Sequence, residues 1–236
     1  MNVVVLLAGG SGTRMQLTIP KQHILVEKHQ IIEYTLESFS ACNSIDAILV
    51  ASNPEYKHEI ECLKLSFPKL KWVIDGGKTR IDSVCNSVRF LETICASEDK
   101  IIISDSVRPC IFVSEIEEVL KYLDTCIAVT TGIESYETIL KVRQGEITEI
   151  IPREGLIRQT SPEGYKFSVL KDLYAIQDID TIRMYQNIGI DQLYARGERI
   201  GIVKTSPLNF KITTQEDLFI FETILRKRNR KYCEEH

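Results

Sequence analysis

No apolar stretch in this chain approaches the ~18 residues that a membrane-spanning helix requires, and no charged-then-apolar leader precedes the first predicted strand. The expectation is a cytoplasmic protein without a membrane partner. Basic charge is not in excess: 29 Lys and Arg stand against 33 Asp and Glu, a formal net charge of −4 with a pI near 5.7. A general nucleic-acid binder carries a basic footprint, so the balance argues against one and favours a small-molecule ligand. The seven cysteines (Cys42, Cys62, Cys85, Cys95, Cys110, Cys126 and Cys233) contain no C-x-x-C pair, and their odd total does not suggest a disulfide framework. Most of them read as small core residues. His23, His29, His58 and His236 lack metal-ligand spacing and read as surface residues with no catalytic role. There is no internal repeat and no low-complexity linker. The 236 residues, 44% of them hydrophobic, suffice for one large α/β domain spanning 1–236.

Two familiar glycine loops are also missing. A Walker A loop ends in Gly-Lys-Ser/Thr, but Gly12 is followed by Thr13-Arg14; the dinucleotide fingerprint needs a third glycine where Met15 stands. What is present is Leu6-Leu7-Ala8-Gly9-Gly10-Ser11-Gly12-Thr13-Arg14-Met15, preceded by the β-branched run Val3-Val4-Val5 and followed by Pro20-Lys21-Gln22. The apolar run predicts a buried parallel strand. Glycines at its end let backbone N–H groups approach a ligand that a Cβ would block, which suits phosphates. Arg14 and Lys21 add two cations able to neutralise a triphosphate. The alternative is a glycine-rich strand-to-helix turn with two surface cations.

Further along, strands and helices alternate. A helical stripe over Ile31–Phe39, a strand over Ile45–Ala51, a helix over Glu55–Phe67 and a short strand over Lys71–Ile74 predict β-α-β units and a mostly parallel sheet. Such sheets bind ligands at their carboxyl edge. Gly76-Gly77 followed by a helix starting near Arg80 makes a second close-approach loop with an anion-favouring helix N-terminus; read blandly, it is an ordinary βα turn. Asp105 ends the next strand, Ile101-Ile102-Ile103-Ser104, and is suited to a hard cation such as Mg2+, with a helix or turn cap as the alternative. A helix over Ser114–Leu123 and a strand over Ile127–Thr131 follow. Tyr136–Arg143 and Glu146–Arg153 then flank Gln144-Gly145 as a β-hairpin that projects as an arm at about 136–162. Tyr165–Leu173 reads as a helix and Arg199–Val203 as a late strand. No role is assigned across Asp178–Asp191. Thr214 with Asp217 predicts an N-terminal cap for the last helix, and Arg226–Lys231 reads as its solvated, cationic end.

Taken together, Leu-Ala-Gly-Gly-x-Gly-x-Arg-Met with Pro-Lys-Gln, then Gly76-Gly77-x-x-Arg80-x-x-Ser83-Val84, then Asp105-x-x-Arg108-Pro109, and finally Asn209-Phe210-Lys211-x-Thr213 with Asp217-Leu218, resemble the cytidylyltransferases that join CTP to a polyol phosphate. These include methylerythritol phosphate and ribitol 5-phosphate enzymes. The resemblance covers nearly the whole chain. It implies a Rossmann-like three-layer α/β sandwich with a projecting β-arm, CTP as co-substrate, Mg2+ at Asp105 and a homodimer formed through the arm. It implies that Leu7, Ala8, Gly9, Gly10, Ser11, Gly12, Gly76, Gly77, Arg80, Ser83 and Asp105 hold the nucleotide. Arg14, Lys21 and Lys211 take catalytic roles by the same likeness. Thr138 and Arg153 correspond to arm residues that contact the acceptor phosphate, which Arg153 and Lys211 would aim.

The chain departs from the pattern at Ser106, where alanine is usual, at Glu137, where aspartate is common, and at Ser161-Pro162-Glu163, where Thr-Pro-Gln is common. The methylerythritol branch commonly has an acidic residue shortly before the lysine; this chain has Pro207-Leu208-Asn209. That tilts the expectation to ribitol 5-phosphate as acceptor. Methylerythritol phosphate, a general sugar-1-phosphate nucleotidylyltransferase and a catalytically silent nucleotide-binding subunit are the competing readings.

Overall fold

The structure is a computed structural model that describes residues 1–10, 19–174 and 188–234. Ser11, Gly12, Arg14 and the stretch 175–187, which holds most of the unassigned Asp178–Asp191 segment, lie outside the described residues.

Strand β1 (Asn2–Ala8) is the axis of the molecule, and its alternation builds both cores. Val3 and Val5 face one side, against Val84, Val88 and Leu91 of α3 (Arg80–Leu91) and Leu170 and Leu173 of α5 (Phe167–Tyr174). Val4, Leu6 and Ala8 face the other, against Ile32, Leu36 and Phe39 of α1 (Ile31–Ala41) and Ile116 and Val119 of α4 (Val113–Tyr122). The period of two thus makes a three-layer sandwich. Each fully buried valine or leucine contributes roughly 1.5–3 kcal/mol. A third cluster gathers Ile24, Val26, Ile31, Val107, Ile212 and Phe221 beneath the final helix, Gln215–Glu234.

The central sheet has seven strands in the order β11-β7-β10-β6-β1-β4-β5. Here β4 is Ala47–Ser52, β5 is Leu70–Asp75, β6 is Lys100–Asp105 and β7 is Ala128–Glu134. The remaining two are β10 (Ile157–Lys166) and β11 (Ile200–Lys204). β4 and β6 flank β1 in parallel, with Leu7 opposite Asp105 and Ala8 opposite Ser52, and β5 puts Asp75 opposite Ser52. The loops beginning at Gly9, Asn53, Gly76 and Ser106 therefore emerge side by side at one edge.

β10 departs from the expected helix at Tyr165–Leu173. Tyr165 and Lys166 belong to this strand, which runs antiparallel between β6 and β7, and the helix begins at Phe167. Ser161-Pro162-Glu163-Gly164 has turn composition, but the proline sits at the irregularity between Thr160 and Gly164, where the ladder to β7 is already interrupted. The reversal matters because it carries Thr160 and Ser161 to the carboxyl end of β6. It also shortens the arm: residues 157–162 lie in the central sheet, and the hairpin comprises β8 (Ile139–Arg143) and β9 (Glu146–Ile151). Gln144 and Gly145 both have positive φ, 53° and 86°, the two-residue turn that suits a twisted hairpin.

The expected helix at Glu55–Phe67 is broken into 3₁₀ turns at Pro54–Tyr56 and Leu63–Leu65 around α2 (Lys57–Cys62). A small ribbon of β2 (Leu25–Val26) and β3 (His29–Gln30) precedes α1. His23, expected at the surface, is buried: it stacks on Tyr56 and its Nδ1 meets Gln30 Oε1 at 2.9 Å. Burial lowers its pKa, against the Gln30 hydrogen bond and Glu59. Cys42, Cys85, Cys110 and Cys126 are core residues as expected, while Cys62 is exposed. Among the described residues no helix is long and apolar enough to cross a membrane.

Candidate active site

The two glycine loops lie close together at Ser83, where a Cβ on Gly9 would come within 3.3 Å of its Oγ. Gly77 N–H donates to Ser83 Oγ at 2.9 Å, and Ser83 donates to Thr79 O at 3.0 Å. A Cβ on Gly77 would lie 2.1 Å from Asp82 Cβ, and one on Gly76 would lie 3.0 Å from Ser52 O. Glycine is required at Gly77 because the first turn of α3 presses on the loop. That turn is closed by a capping box, Thr79 Oγ1 accepting from Asp82 N and Asp82 Oδ2 from Thr79 N. On the other loop Gly10 faces open space. Gln22, 1% exposed, donates to Ala8 O at 2.7 Å and Gly10 O at 3.1 Å and so fixes the path of the chain leaving β1. The Pro-Lys-Gln motif contained this residue, but nothing in its spacing revealed the role.

Asp105 lies at the centre. Lys211 Nζ donates to its Oδ1 at 3.0 Å and Arg108 Nε to its Oδ2 at 3.1 Å. Burial alone would push this carboxyl up; the charges of Lys211, Arg108 and Arg80, with the Lys211 hydrogen bond, outweigh burial and hold it at about 2. Arg80 is likewise opposed by burial, and Glu163 and Asp105 raise its pKa. Its guanidinium lies 3.7 Å from Glu163 Oε1. Lys21 Nζ donates to Ile212 O at 2.8 Å, tying the first loop to the C-terminal motif across 191 residues of chain. As expected, Asp217 caps the final helix, accepting from Thr213 N and Thr214 N at 2.8 and 2.9 Å.

These groups line one cleft of about 620 Å³. It brings together Leu7, Gly9, Gly10, Lys21, Gly76, Gly77, Arg80, Ser83, Asp105 and Lys211, all named from the sequence, and adds Lys78 and Ser106. Among its described lining residues four cations, Lys21, Lys78, Arg80 and Lys211, surround the single carboxylate of Asp105, a field for an anionic ligand. Ala8 sits behind the cleft, holding Gln22 through its carbonyl. Thr138 and Arg153 are on the arm and line neither cavity; Arg153 Nη1 donates to Tyr136 O at 2.9 Å. A second cavity of about 210 Å³ adjoins the cleft at Arg80 and Asp105 and is completed by Arg108, Gln159, Thr160, Ser161 and Glu163. Sequence reasoning gave Gln159 and Thr160 no role, because the strand that carries them was not recognised.

Residues 2–227 match the family described as IspD, 2-C-methyl-D-erythritol 4-phosphate cytidylyltransferase. The chain is 30% identical over 232 residues to the 2-C-methyl-D-erythritol 4-phosphate cytidylyltransferase of Thermotoga neapolitana, covering 98% of this chain and 99% of that protein. It is 32% identical over 238 residues to the ribitol-5-phosphate cytidylyltransferase of Lacticaseibacillus paracasei, covering 97% and 99%. In fold it matches the crystal structure of 4-diphosphocytidyl-2C-methyl-D-erythritol synthase from Anaerococcus prevotii, with a TM-score of 0.78, 19% identity and 96% of each chain covered. With the family's match running almost end to end over a fold and a cleft of this kind, the chain belongs to the IspD family of CTP-dependent cytidylyltransferases.

Proposed function

We propose that the protein transfers CMP from CTP to a linear polyol phosphate, D-ribitol 5-phosphate, giving CDP-ribitol and pyrophosphate. The observation that carries the choice of acceptor is the second cavity. Arg80, Asp105, Arg108, Gln159, Thr160, Ser161 and Glu163 line it with charged and polar side chains alone. A chain of hydroxyls finds donors and acceptors in such a pocket, whereas no hydrophobic residue lines it to seat a branch methyl. The second reading, 2-C-methyl-D-erythritol 4-phosphate as acceptor, is favoured by the name of the Thermotoga neapolitana relative.

A phosphate monoester is largely dianionic at neutral pH, so its oxygen attacks the α-phosphorus of CTP without a general base. The new P–O bond forms as the bond to the β-phosphate breaks, and pyrophosphate leaves with the electron pair. Backbone N–H groups of the glycine loops hold the triphosphate. Lys21, with Arg14 from outside the described residues, neutralises charge as it shifts towards the leaving group, and Lys211 and Arg108 aim the acceptor phosphate.

The donor set fits Mg2+ in its usual mode of binding to one or two carboxylates together with substrate phosphates. Asp105 faces the cleft with lone pairs beyond those that Lys211 and Arg108 occupy, and the described residues contain no cluster of three or more metal-binding side chains. Mg2+ held by Asp105 supplies further neutralisation of phosphate charge.

The arm supports a homodimer: a two-stranded ribbon is marginal alone in water, yet Tyr136, Val142, Ile147 and Ile150 are each more than half exposed. Thr138 and Arg153 would then serve the partner's acceptor site. The deciding experiment is pyrophosphate release with CTP and Mg2+, offering ribitol 5-phosphate and methylerythritol 4-phosphate separately. Turnover with ribitol 5-phosphate is expected; turnover with methylerythritol 4-phosphate alone selects the second reading.

A further inference from the structure

Asn209 belongs to the last sequence motif, but the reaction described above gives it no part. It is fully buried and lies where three distant segments meet. Its Nδ2 donates to Ser161 O at 2.8 Å. Its own carbonyl accepts from Arg108 Nη1 at 2.9 Å, and Arg108 Nε in turn grips Asp105. Two residues on, Lys211 holds the other Asp105 oxygen, and Ile212 N–H donates to Val107 O at 3.0 Å. The circuit closes at Ser161, whose hydroxyl accepts from Asp105 N at 3.1 Å and donates to Ser104 Oγ at 3.0 Å.

The side-chain oxygen of Asn209 is buried without a hydrogen-bond partner among the described residues. An orphaned buried acceptor is costly, so the residue is not explained by satisfaction of its own polar groups. Its donor is the group in use. Among the described residues, the one atom that donor reaches is the backbone carbonyl oxygen of Ser161, in the wall of the second cavity.

We infer that Asn209 is a positioning residue that sets Lys211 and Arg108 on Asp105 by anchoring the C-terminal segment to β10 at Ser161. It touches neither substrate. It fixes the distance between the cleft, where the nucleotide is held, and the smaller cavity, where the acceptor is held, so that both cations point at the same place. The inference rests on the functional reading above for its catalytic consequence, and on geometry alone for the placement of Lys211.

The test uses the full-length protein carrying Asn209→Asp, which keeps the volume and removes the donor in the ionised form, and Asn209→Ala. The first readout needs no turnover: reductive methylation of Lys211, quantified by mass spectrometry against the exposed Lys121 of α4 as internal reference. In both variants methylation at Lys211 should rise at least threefold, because its ammonium leaves Asp105. The second readout is the split between kcat and CTP affinity: kcat should fall at least tenfold while the dissociation constant for CTP stays within about threefold of wild type. Unchanged reactivity at Lys211 in a variant that melts cooperatively overturns the inference, as does a kcat within threefold of wild type. A variant that loses thermal stability with Lys211 reactivity unchanged assigns Asn209 a purely structural role and overturns it equally. If the wild type turns over neither acceptor, the functional reading fails, and the Lys211 measurement still decides this one.

Discussion

Replacing Asp105 by Asn removes one charge from a group that three cations share, and the size of the effect follows from the environment of the carboxyl. Its folded pKa is about 2, against an ordinary value of 3.8. At about 1.36 kcal/mol per pH unit, that difference corresponds to about 2 kcal/mol of preference for the ionised, folded state. Because the folded value is depressed, the contribution is complete above the unfolded value and drains away as pH falls from about 4 through about 2. Linkage puts it at about 2 kcal/mol at pH 7 and about 1 kcal/mol at pH 3. The asparagine cannot titrate, and its amide nitrogen or its oxygen must face Arg108 or Lys211 without the charge that holds them. Urea unfolding of both proteins in metal-free buffer should therefore show a stability gap of at least about 2 kcal/mol at pH 7 that narrows by about 1 kcal/mol at pH 3. A gap of equal size at both pH values, or none at pH 7, would refute the account of Asp105 as an ionised, cation-held centre.

Lys21→Ala should lower kcat by at least about 100-fold, since it removes a preorganised cation from the leaving-group side. Unfolding should move by only about 1 kcal/mol, the worth of its hydrogen bond to Ile212 O; activity surviving within tenfold would displace Lys21 from the reaction. On the arm, Val142→Asp with Ile150→Asp places two charges on a ribbon whose apolar side chains are exposed in the single chain. The wild type is expected to sediment as the proposed dimer and this variant as a monomer, with far-UV circular dichroism unchanged. A variant that remains dimeric would move the subunit interface elsewhere.

The fold was legible where local chemistry and tertiary role agree. β1, β4 and β6 are apolar and largely β-branched because both of their faces are covered, and helices α1, α3 and α4 carry stripes that match the two cores. Legibility failed at β10 because its residues answer to neighbours far away in sequence. Pro162 and Gly164 have turn composition, yet Gly164 is there because a Cβ would come within 2.8 Å of Val119 Cγ1. The helix expected at Glu55–Phe67 failed for a local reason: Asn53 caps a 3₁₀ turn that starts at Pro54, and only six residues after it are α-helical.

The site divides along the same line, and the division has a physical cause. The nucleotide half is built mainly from backbone: loops leaving adjacent parallel strands, with glycine where α3 crowds them. Close backbone approach demands glycine at fixed offsets, so this half leaves a motif in the sequence. The half we assign to the acceptor is built from side chains on an antiparallel strand, Gln159, Thr160, Ser161 and Glu163, together with Arg80, Asp105 and Arg108. Nothing in their spacing announces a pocket, because they are assembled by the reversal of β10 against β6 and by the hold of Asn209 on Ser161. A pocket made of side chains can change its ligand by substitution without disturbing the loops that hold the nucleotide. That is why the CTP half of the reading was legible in the sequence, while the acceptor, on the proposal made above, depends on side chains of the smaller cavity that no motif marks.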